Sequence, residues 1–230
     1  MYIILILLII LFIIVLYKIC CQKENYKNVE TITILTRTGT RESCFTQLKK
    51  SLESQDFHHY KHLISNDNPD NLFLEKENQV IHVDPVIKNF FWECPYNEYL
   101  NKLNTLANGW VIIMDDDAKF VDPSFLEKLS KLCKNTKKEN VIIYRIYYGK
   151  MKQIRPLNNS LKKGTIDMAN ICIHSSLLKK YPFGRHCGGD WTLLKQLKND
   201  KVPILFNKTL PIGVWANTNG KSGGKDIECF

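Results

Sequence analysis

Three adjacent carboxylates, Asp115, Asp116 and Asp117, close the apolar run "WVIIM" at residues 110–114. Like charges packed side by side repel, so they demand water, a cation or both. Carboxylate oxygens are hard ligands, and Mg2+ or Mn2+ typically takes one or two of them along with substrate phosphates. On an extended segment, Asp-x-Asp sends its first and third side chains to one side and the middle one away. Asp115 and Asp117 are therefore expected to act together at a metal, with Asp116 turned elsewhere. Taken alone, the motif is weak, because acidic loops after strands are common, and a plain solvated loop is its alternative.

Other chemistry-bearing residues recur at the ends of apolar runs. Thr36 and Arg37 follow "TITIL", with Arg41 close behind, and Asn66 and Asp67 follow "YKHLIS". Asp190 stands in "GGDWTLLKQL", where it is placed to open or cap a helix. Lys221 and Lys225 punctuate the glycine-bearing tail "NTNGKSGGKDIECF", a candidate diphosphate clamp or a frayed basic end. The six histidines follow no pattern; His186, four residues before Asp190, reads as a surface or core-edge residue.

What could position these groups is an alternation of strands and helices. "TITILT", "YKHLISND", "QVIHVD", "WVIIMD" and "NVIIYRIYYG" carry strand signals, and "TIDMANICIHSS" and "VPILFNKTLPIGVW" read as extended. Between them, "SCFTQLKKSLESQ" stripes Phe45, Leu48 and Leu52 along one helical face, and "PYNEYLNKLNTLANG" stripes Tyr99, Leu103 and Leu106. "VDPSFLEKLSKLC" offers Asp122 as cap, Pro123 at the first helical position, and Phe125, Leu126, Leu129 and Leu132 as its buried face. The pattern predicts an α/β fold with a mostly parallel, doubly wound sheet flanked by helices. Ligands of such sheets bind beyond the carboxyl ends of the strands. If the strands ending at Thr36-Arg37, Asn66-Asp67 and Asp115–Asp117 are neighbours, a basic pair and four acids share one crevice.

The whole chain, 230 residues at 44% hydrophobic and 24% charged, is enough for one sizeable core. A formal charge of +9 favours anionic partners. Because the basic residues are spread without Arg-rich blocks, phosphorylated ligands are favoured over nucleic acid. Residues 1–17 are almost wholly Ile and Leu, so residues 1–21 are expected to form a single-pass membrane anchor. Residues 22–30 then read as a linker, residues 31–230 as the catalytic domain, and 216–230 as a mobile tail. Lys18, Lys23 and Lys27 follow the span, which leans the domain toward the cytosol. The acceptor patterns at Asn158 and Asn207 point instead to a lumen. Eight cysteines without a CxxC pair indicate neither a zinc site nor a dense disulfide framework.

In order and spacing, "ITILTRTGTRESCFTQLKKSLESQ", "HLISND", "GWVIIMDDDAKF", "IDMANICIHSS" and "GGDWTLLKQL" resemble the GT-A glycosyltransferases, most of all family 2 and its small single-domain viral members. The resemblance spans roughly residues 31–197. It implies that Thr36, Arg37 and Arg41 line a nucleotide pocket and that Asp67 holds the base or ribose of a UDP- or GDP-linked sugar. It further implies that Asp115, with Asp116 beside it, contacts the donor, that Asp115 and Asp117 hold Mn2+ or Mg2+, and that Asp190 is the general base toward an acceptor hydroxyl. The acceptor would be a glycan, protein or lipid. Two departures stand out: Ala118 follows the acids where the family often has another acid, and Gly189 precedes Asp190 where it usually has Glu. Rival readings are a phosphatase or nuclease using Asp115 and Asp117, or a tethered sugar-nucleotide-binding domain without activity.

Overall fold

A computed structural model of the chain describes residues 9–15, 30–68, 70, 72–77, 79–84, 90, 93–94, 96–149 and 152–216. Its centre is a seven-stranded sheet. The strands are β1 (Ile32–Thr38), β2 (Tyr60–Asn66), β3 (Val80–His82), β4 (Trp110–Ile113), β6 (Val141–Tyr144), β9 (Ile171–His174) and β10 (Ile204–Asn207). They lie in the order β10-β6-β9-β4-β1-β2-β3. β1 pairs in parallel with both β2 and β4. The three strand ends singled out in the sequence are therefore neighbours, as the crevice hypothesis requires.

Strand alternation sorts the core into two layers. Ile32, Ile34, Trp110 and Ile112 face one side, where Leu48 and Leu52 of α1 (Glu42–Glu53) and Phe125 and Leu129 of α3 (Phe125–Lys134) pack on them. Leu35, Val111 and Ile113 face the other, against Leu100 and Leu103 of α2 (Asn97–Leu106) and Leu178 of α4 (Ser175–Lys180). Leu193 and Leu194 of α5 (Gly189–Asn199) complete that layer. A strand apolar at every position, like β4, can exist only where both faces are covered. Gly109 joins α2 to β4 at φ +71, and a Cβ there would lie 2.7 Å from the Thr31 carbonyl oxygen, so glycine is required.

Several expectations need correcting. The sheet is mostly parallel as expected, but β9 interrupts it by running antiparallel to both β4 and β6. "NVIIYRIYYG" is two strands, not one: it breaks at Arg145, and β7 (Ile146–Tyr148) leaves for a second sheet. That sheet has the order β5-β11-β7-β8, with β5 (Lys119–Phe120), β8 (Gln153–Arg155) and β11 (Val214–Ala216). Leu106, expected to be buried, is exposed at the end of α2, and Leu100 takes its place in the core. Asp122 caps from two residues further out than expected, its Oδ1 accepting from the Ser124 amide at 2.8 Å.

The expected single-pass membrane anchor at residues 1–21 is not supported. Among the described residues, no helix is long and apolar enough to cross a membrane. Residues 9–15 are helical and exposed. The orientation argued from Lys18, Lys23 and Lys27 falls with the span. Residues 1–8 and 16–29 lie outside the described residues, as do Lys221 and Lys225 of the expected clamp.

Candidate functional site

The parallel register of β1 and β4 carries their last residues to one edge of the sheet. Odd positions of β1 face α2 and even ones face α1, so adjacent residues there serve different purposes. Arg37 points to the α2 side and forks onto a single carboxylate. Its Nε donates to Asp115 Oδ1 at 2.7 Å and its Nη2 to Asp115 Oδ2 at 3.0 Å. The third arm, Nη1, donates to Asn97 Oδ1 at 3.1 Å. Burial opposes the Arg37 charge, but attraction to Asp115, with Asp116 and Asp167 behind it, leaves the guanidinium pKa raised.

Thr36 lies on the opposite face. It is fully buried, and its hydroxyl pairs with His62 Nε2 at 2.9 Å, beneath the stacked Phe45 ring. Burial pushes the His62 pKa down to about 4, so the ring is neutral there. The threonine that reaches the acids is Thr38, whose hydroxyl donates to Asp116 Oδ2 at 2.8 Å.

The alternation argument for Asp115–Asp117 fails because the chain turns at once: the Ala118 amide donates back to the Asp115 carbonyl at 2.9 Å. Asp116 consequently does not point away from the cluster. It shares Arg41 with Asp117, as Arg41 donates through Nε and Nη2 to Asp116 and through Nη1 to Asp117 Oδ2 at 3.2 Å. Asp116 is 1% exposed. Burial pushes its carboxyl up to about 7 against the pull of Arg41 and the Thr38 hydroxyl. Burial, then Asp115, raise Asp117 also. Asp67 is half-buried at the end of β2, and its Oδ1 sits where a Cβ on Gly39 would come within 2.6 Å. The absence of a side chain at Gly39 lets the loop after β1 lie against that carboxylate as it stands.

Asp190 is the second residue of α5, whose N-cap is Gly188 at φ +85, so it is not the capping residue. Burial raises its carboxyl pKa, although the Trp191 amide hydrogen bond and Arg37 pull it down. The loop that delivers Asp190 is held at several points. Asn97 Nδ2 donates to the Gly184 carbonyl at 2.7 Å, and a disulfide joins Cys94 to Cys187. Gly189 packs so closely that a Cβ there would lie 2.5 Å from Asn97 Nδ2. Arg37 thus connects Asp115 on one side to the Asp190 loop on the other through Asn97. His186 belongs to this loop, its Nε2 paired with the Thr192 hydroxyl at 2.6 Å.

Sequence reasoning missed three participants. Asp167, N-cap of the 3-10 turn Met168–Asn170, accepts from the Ala169 amide and interacts with Asp115, Asp190 and Arg37. Burial pushes its carboxyl up to about 6. Asn97 reads in sequence as an ordinary helix-start residue. Cys94 and Cys187 lie 93 residues apart with no local signal.

Five carboxylates (Asp115, Asp116, Asp117, Asp167 and Asp190) thus share two guanidinium groups, Arg37 and Arg41. A surplus of hard oxygen donors suits a divalent cation. As arranged, however, no three His, Cys, Asp or Glu side chains among the described residues are placed to hold one. Guanidinium and hydroxyl donors take up the oxygens of Asp115 and Asp116 and one of Asp117, and Asp167 and Asp190 each accept from a backbone amide.

No family model and no curated protein matches the sequence. Solved structures do. The S. aureus TarS fragment 1–349 in complex with UDP aligns with TM-score 0.63 at 14% identity, covering 81% of this chain and 60% of that one. The same fragment with UDP-GlcNAc aligns with TM-score 0.57 at 15% identity over 85% of this chain and 60% of that one. The mannosyltransferase PcManGT from Pyrobaculum calidifontis, in complex with GDP-Man and Mn2+, aligns with TM-score 0.60 at 13% identity, covering 85% and 59%. This chain spans 36% of the longer TarS structure and about 60% of the other two. These likenesses establish the fold, which is that of GT-A-like glycosyltransferases.

Proposed function

We propose that this GT-A-like chain is a nucleotide-sugar-dependent glycosyltransferase that moves a sugar from a UDP- or GDP-linked donor to an acceptor hydroxyl with inversion. The observation that carries the reading is the link from Asp115 at the end of β4, through Arg37 and Asn97, to the loop before Asp190. It joins the strand end read as donor-binding to a half-buried carboxylate on a separate element, as a single displacement needs. The neighbours' complexes with UDP, UDP-GlcNAc and GDP-Man support a nucleotide-sugar donor.

In this reading Asp67 receives the base or ribose, and Arg41 offers its forked donors to the diphosphate. Asp190 accepts the proton of the acceptor hydroxyl. The hydroxyl oxygen bonds to the anomeric carbon as the bond to the diphosphate oxygen breaks, and the nucleoside diphosphate leaves with that electron pair. Burial, by raising the Asp190 pKa, makes it a better base than a solvated carboxylate. Asp117 and Asp115 would hold Mn2+ or Mg2+ only once Arg37 and Arg41 released their oxygens, and the ion would then supply positive charge to the departing diphosphate. The PcManGT complex with Mn2+ is consistent with that choice.

Calorimetry with UDP- and GDP-sugars, paired with release of nucleoside diphosphate, tests the reading. Asp190→Asn is expected to lower transfer by about 10²–10⁴-fold while donor binding persists. Transfer at the wild-type rate in that variant would remove Asp190 as the base, and absence of donor binding in the wild type would end the proposal.

A further inference from the structure

We infer that the Cys94–Cys187 disulfide is the element that positions Asp190, so that thiol–disulfide exchange at this bridge lowers transfer while leaving donor binding in place. The inference rests on the donor reading above and deepens it by naming a control on the same site.

Gly184 to His186 are tied to the start of α2 without sulfur. The Gly184 carbonyl accepts from Asn97 Nδ2 at 2.7 Å and the Arg185 carbonyl from the Cys94 amide at 2.8 Å. His186 forms an antiparallel bridge with Glu93, and Arg185 Nη1 donates to Glu98 at 2.8 Å. These ties end at His186, short of the carboxylate. Cys187, Gly188 and Gly189 fill the gap, and consecutive glycines restrain a backbone least. Gly188 takes φ +85 and is exposed. The bridge at Cys187 is therefore the tie that reaches furthest along the loop toward Asp190. Asp190 itself bonds locally, accepting from the Trp191 amide at 2.7 Å, which orients the carboxylate but does not place the helix end. Leu193, Leu194 and Leu197 hold the body of α5 in the core. Opening the bridge thus loosens the first turn of α5 and leaves the sheet, Asp67 and Arg41 where they are.

The two sulfurs differ in access. Cys187 is exposed and Cys94 half-buried, so an incoming thiolate meets Cys187 Sγ. As it bonds to that sulfur the S–S bond breaks, and the electron pair leaves with Cys94 Sγ, which takes a proton. The second thiol of a dithiol then attacks the mixed disulfide and releases Cys187. The dithiol departs as a disulfide, having passed two electrons to the protein. A small disulfide reverses the exchange. Exposed bridges are the labile ones, from which regulatory disulfides are drawn. Cys133 and Cys172, the free cysteines among the described residues, are 1% and 0% exposed and lie beyond the reach of such reagents.

Turnover and amide hydrogen exchange of the full chain test this, with the protein oxidised by glutathione disulfide or reduced by dithiothreitol without denaturant. Peptide masses after alkylation report the state of the bridge. Turnover is read as UDP or GDP released from UDP-GlcNAc or GDP-Man with water as acceptor, and exchange is read whether or not water serves. On reduction, kcat is expected to fall at least about 10-fold with the donor KM almost unchanged. Amides of residues 187–191 should exchange at least about 10-fold faster while those of β1 and β4 keep their protection. Reoxidation should restore both. Cys94→Ser with Cys187→Ser should match the reduced wild type and ignore dithiothreitol, which separates this bridge from the disulfide at Cys44. Unchanged exchange at residues 187–191, a bridge that dithiothreitol leaves intact, or a double variant as sensitive as the wild type overturns the inference and leaves the donor reading standing. Donor binding lost together with kcat makes the bridge a staple of the whole fold, which overturns it too. If the oxidised wild type binds neither donor in calorimetry, the donor reading falls and takes the inference with it.

Discussion

Arg37 and Arg41 stand four residues apart and face the same acidic turn, yet they are built for different work. Arg37 issues from the last part of a central strand, forks onto one carboxylate and spends its remaining arm on Asn97. Arg41 issues from a loop, spreads over two carboxylates and borders open space. The first is a brace whose position is set by sheet register and helix packing. The second is a counter-charge set just before a helix, at the edge of an open cleft. What separates them is neither residue type nor the number of donors engaged, since each uses Nε, Nη1 and Nη2, but where the partners sit: those of Arg37 are on two different elements, those of Arg41 on one turn beside open space.

The largest expected effect breaks the brace. Arg37→Ala strips Asp115 of its partner and removes the one cation that Asp167 and Asp190 also feel. Loss of one partner from a fully buried pair costs ~3–5 kcal/mol; here the side chains are 25% and 32% exposed, which lowers the expectation to about 2–3 kcal/mol. Arg41→Ala should cost only about 1 kcal/mol at pH 6, because Asp116, its carboxyl already pushed up to about 7 by burial, takes a proton in place of the guanidinium. Above pH 7 that relief fades, so the Arg41→Ala penalty should grow with pH. Denaturant titrations at pH 6 and pH 8 measure both. Equal costs for the two variants at pH 6 would erase the distinction.

A smaller effect sharpens it. Asn97→Ala cuts the link between Arg37 and the Gly184 carbonyl while the Cys94–Cys187 disulfide keeps the loop attached. Two partly buried polar groups lose a partner, for an expected cost of about 1 kcal/mol. Through the Asp190 position, transfer is expected to fall about 10-fold with the donor KM almost unchanged. Arg41 variants should instead move the donor KM. A rise in donor KM for Asn97→Ala would place Asn97 on the donor side.

How much of this was legible beforehand follows from which interactions are local. The apolar runs and the residues at their ends announced β1, β2 and β4, and strand neighbourhood then brought Arg37, Asp67 and the three acids to one edge. Local turn geometry was not legible. Nothing in "MDDDAK" says that the chain turns after Asp115, so the pairing of Asp115 with Asp117 over Asp116 was read from an extended backbone that does not exist there. Thr36 and Thr38 share one face of β1 and are equally plausible in sequence, and only their position along the strand separates the one buried on His62 from the one that reaches Asp116 at its end. Asp167 was invisible for a different reason. It sits in a 3-10 turn before β9, a strand whose antiparallel insertion between β4 and β6 no periodicity reveals. Its partners are 52, 23 and 130 positions away, at Asp115, Asp190 and Arg37.

The smallest expected effect asks whether the Arg37 brace is overloaded. Burial first, then Asp115 and Asp190, push the Asp167 carboxyl up to about 6, while the Ala169 amide and Arg37 pull against them. A carboxyl whose folded pKa lies above its unfolded value of about 3.9 binds protons more tightly when folded. Its favourable contribution is therefore complete below about pH 4 and is lost as pH rises through 6. Asp167→Asn never ionises, and its Oδ1 can still accept from Ala169, a bond of 3.1 Å in the native chain. Melting temperatures of variant and wild type should coincide at pH 4, and the variant should be more stable by about 1–2 kcal/mol at pH 8. The same change removes a negative neighbour from Asp190, which should then ionise more readily and shift the acid limb of the transfer rate to lower pH. If the two proteins melt together at pH 8, Arg37 already offsets the Asp167 charge, and the surplus of acids over guanidiniums is confined to the Arg41 side of the cluster.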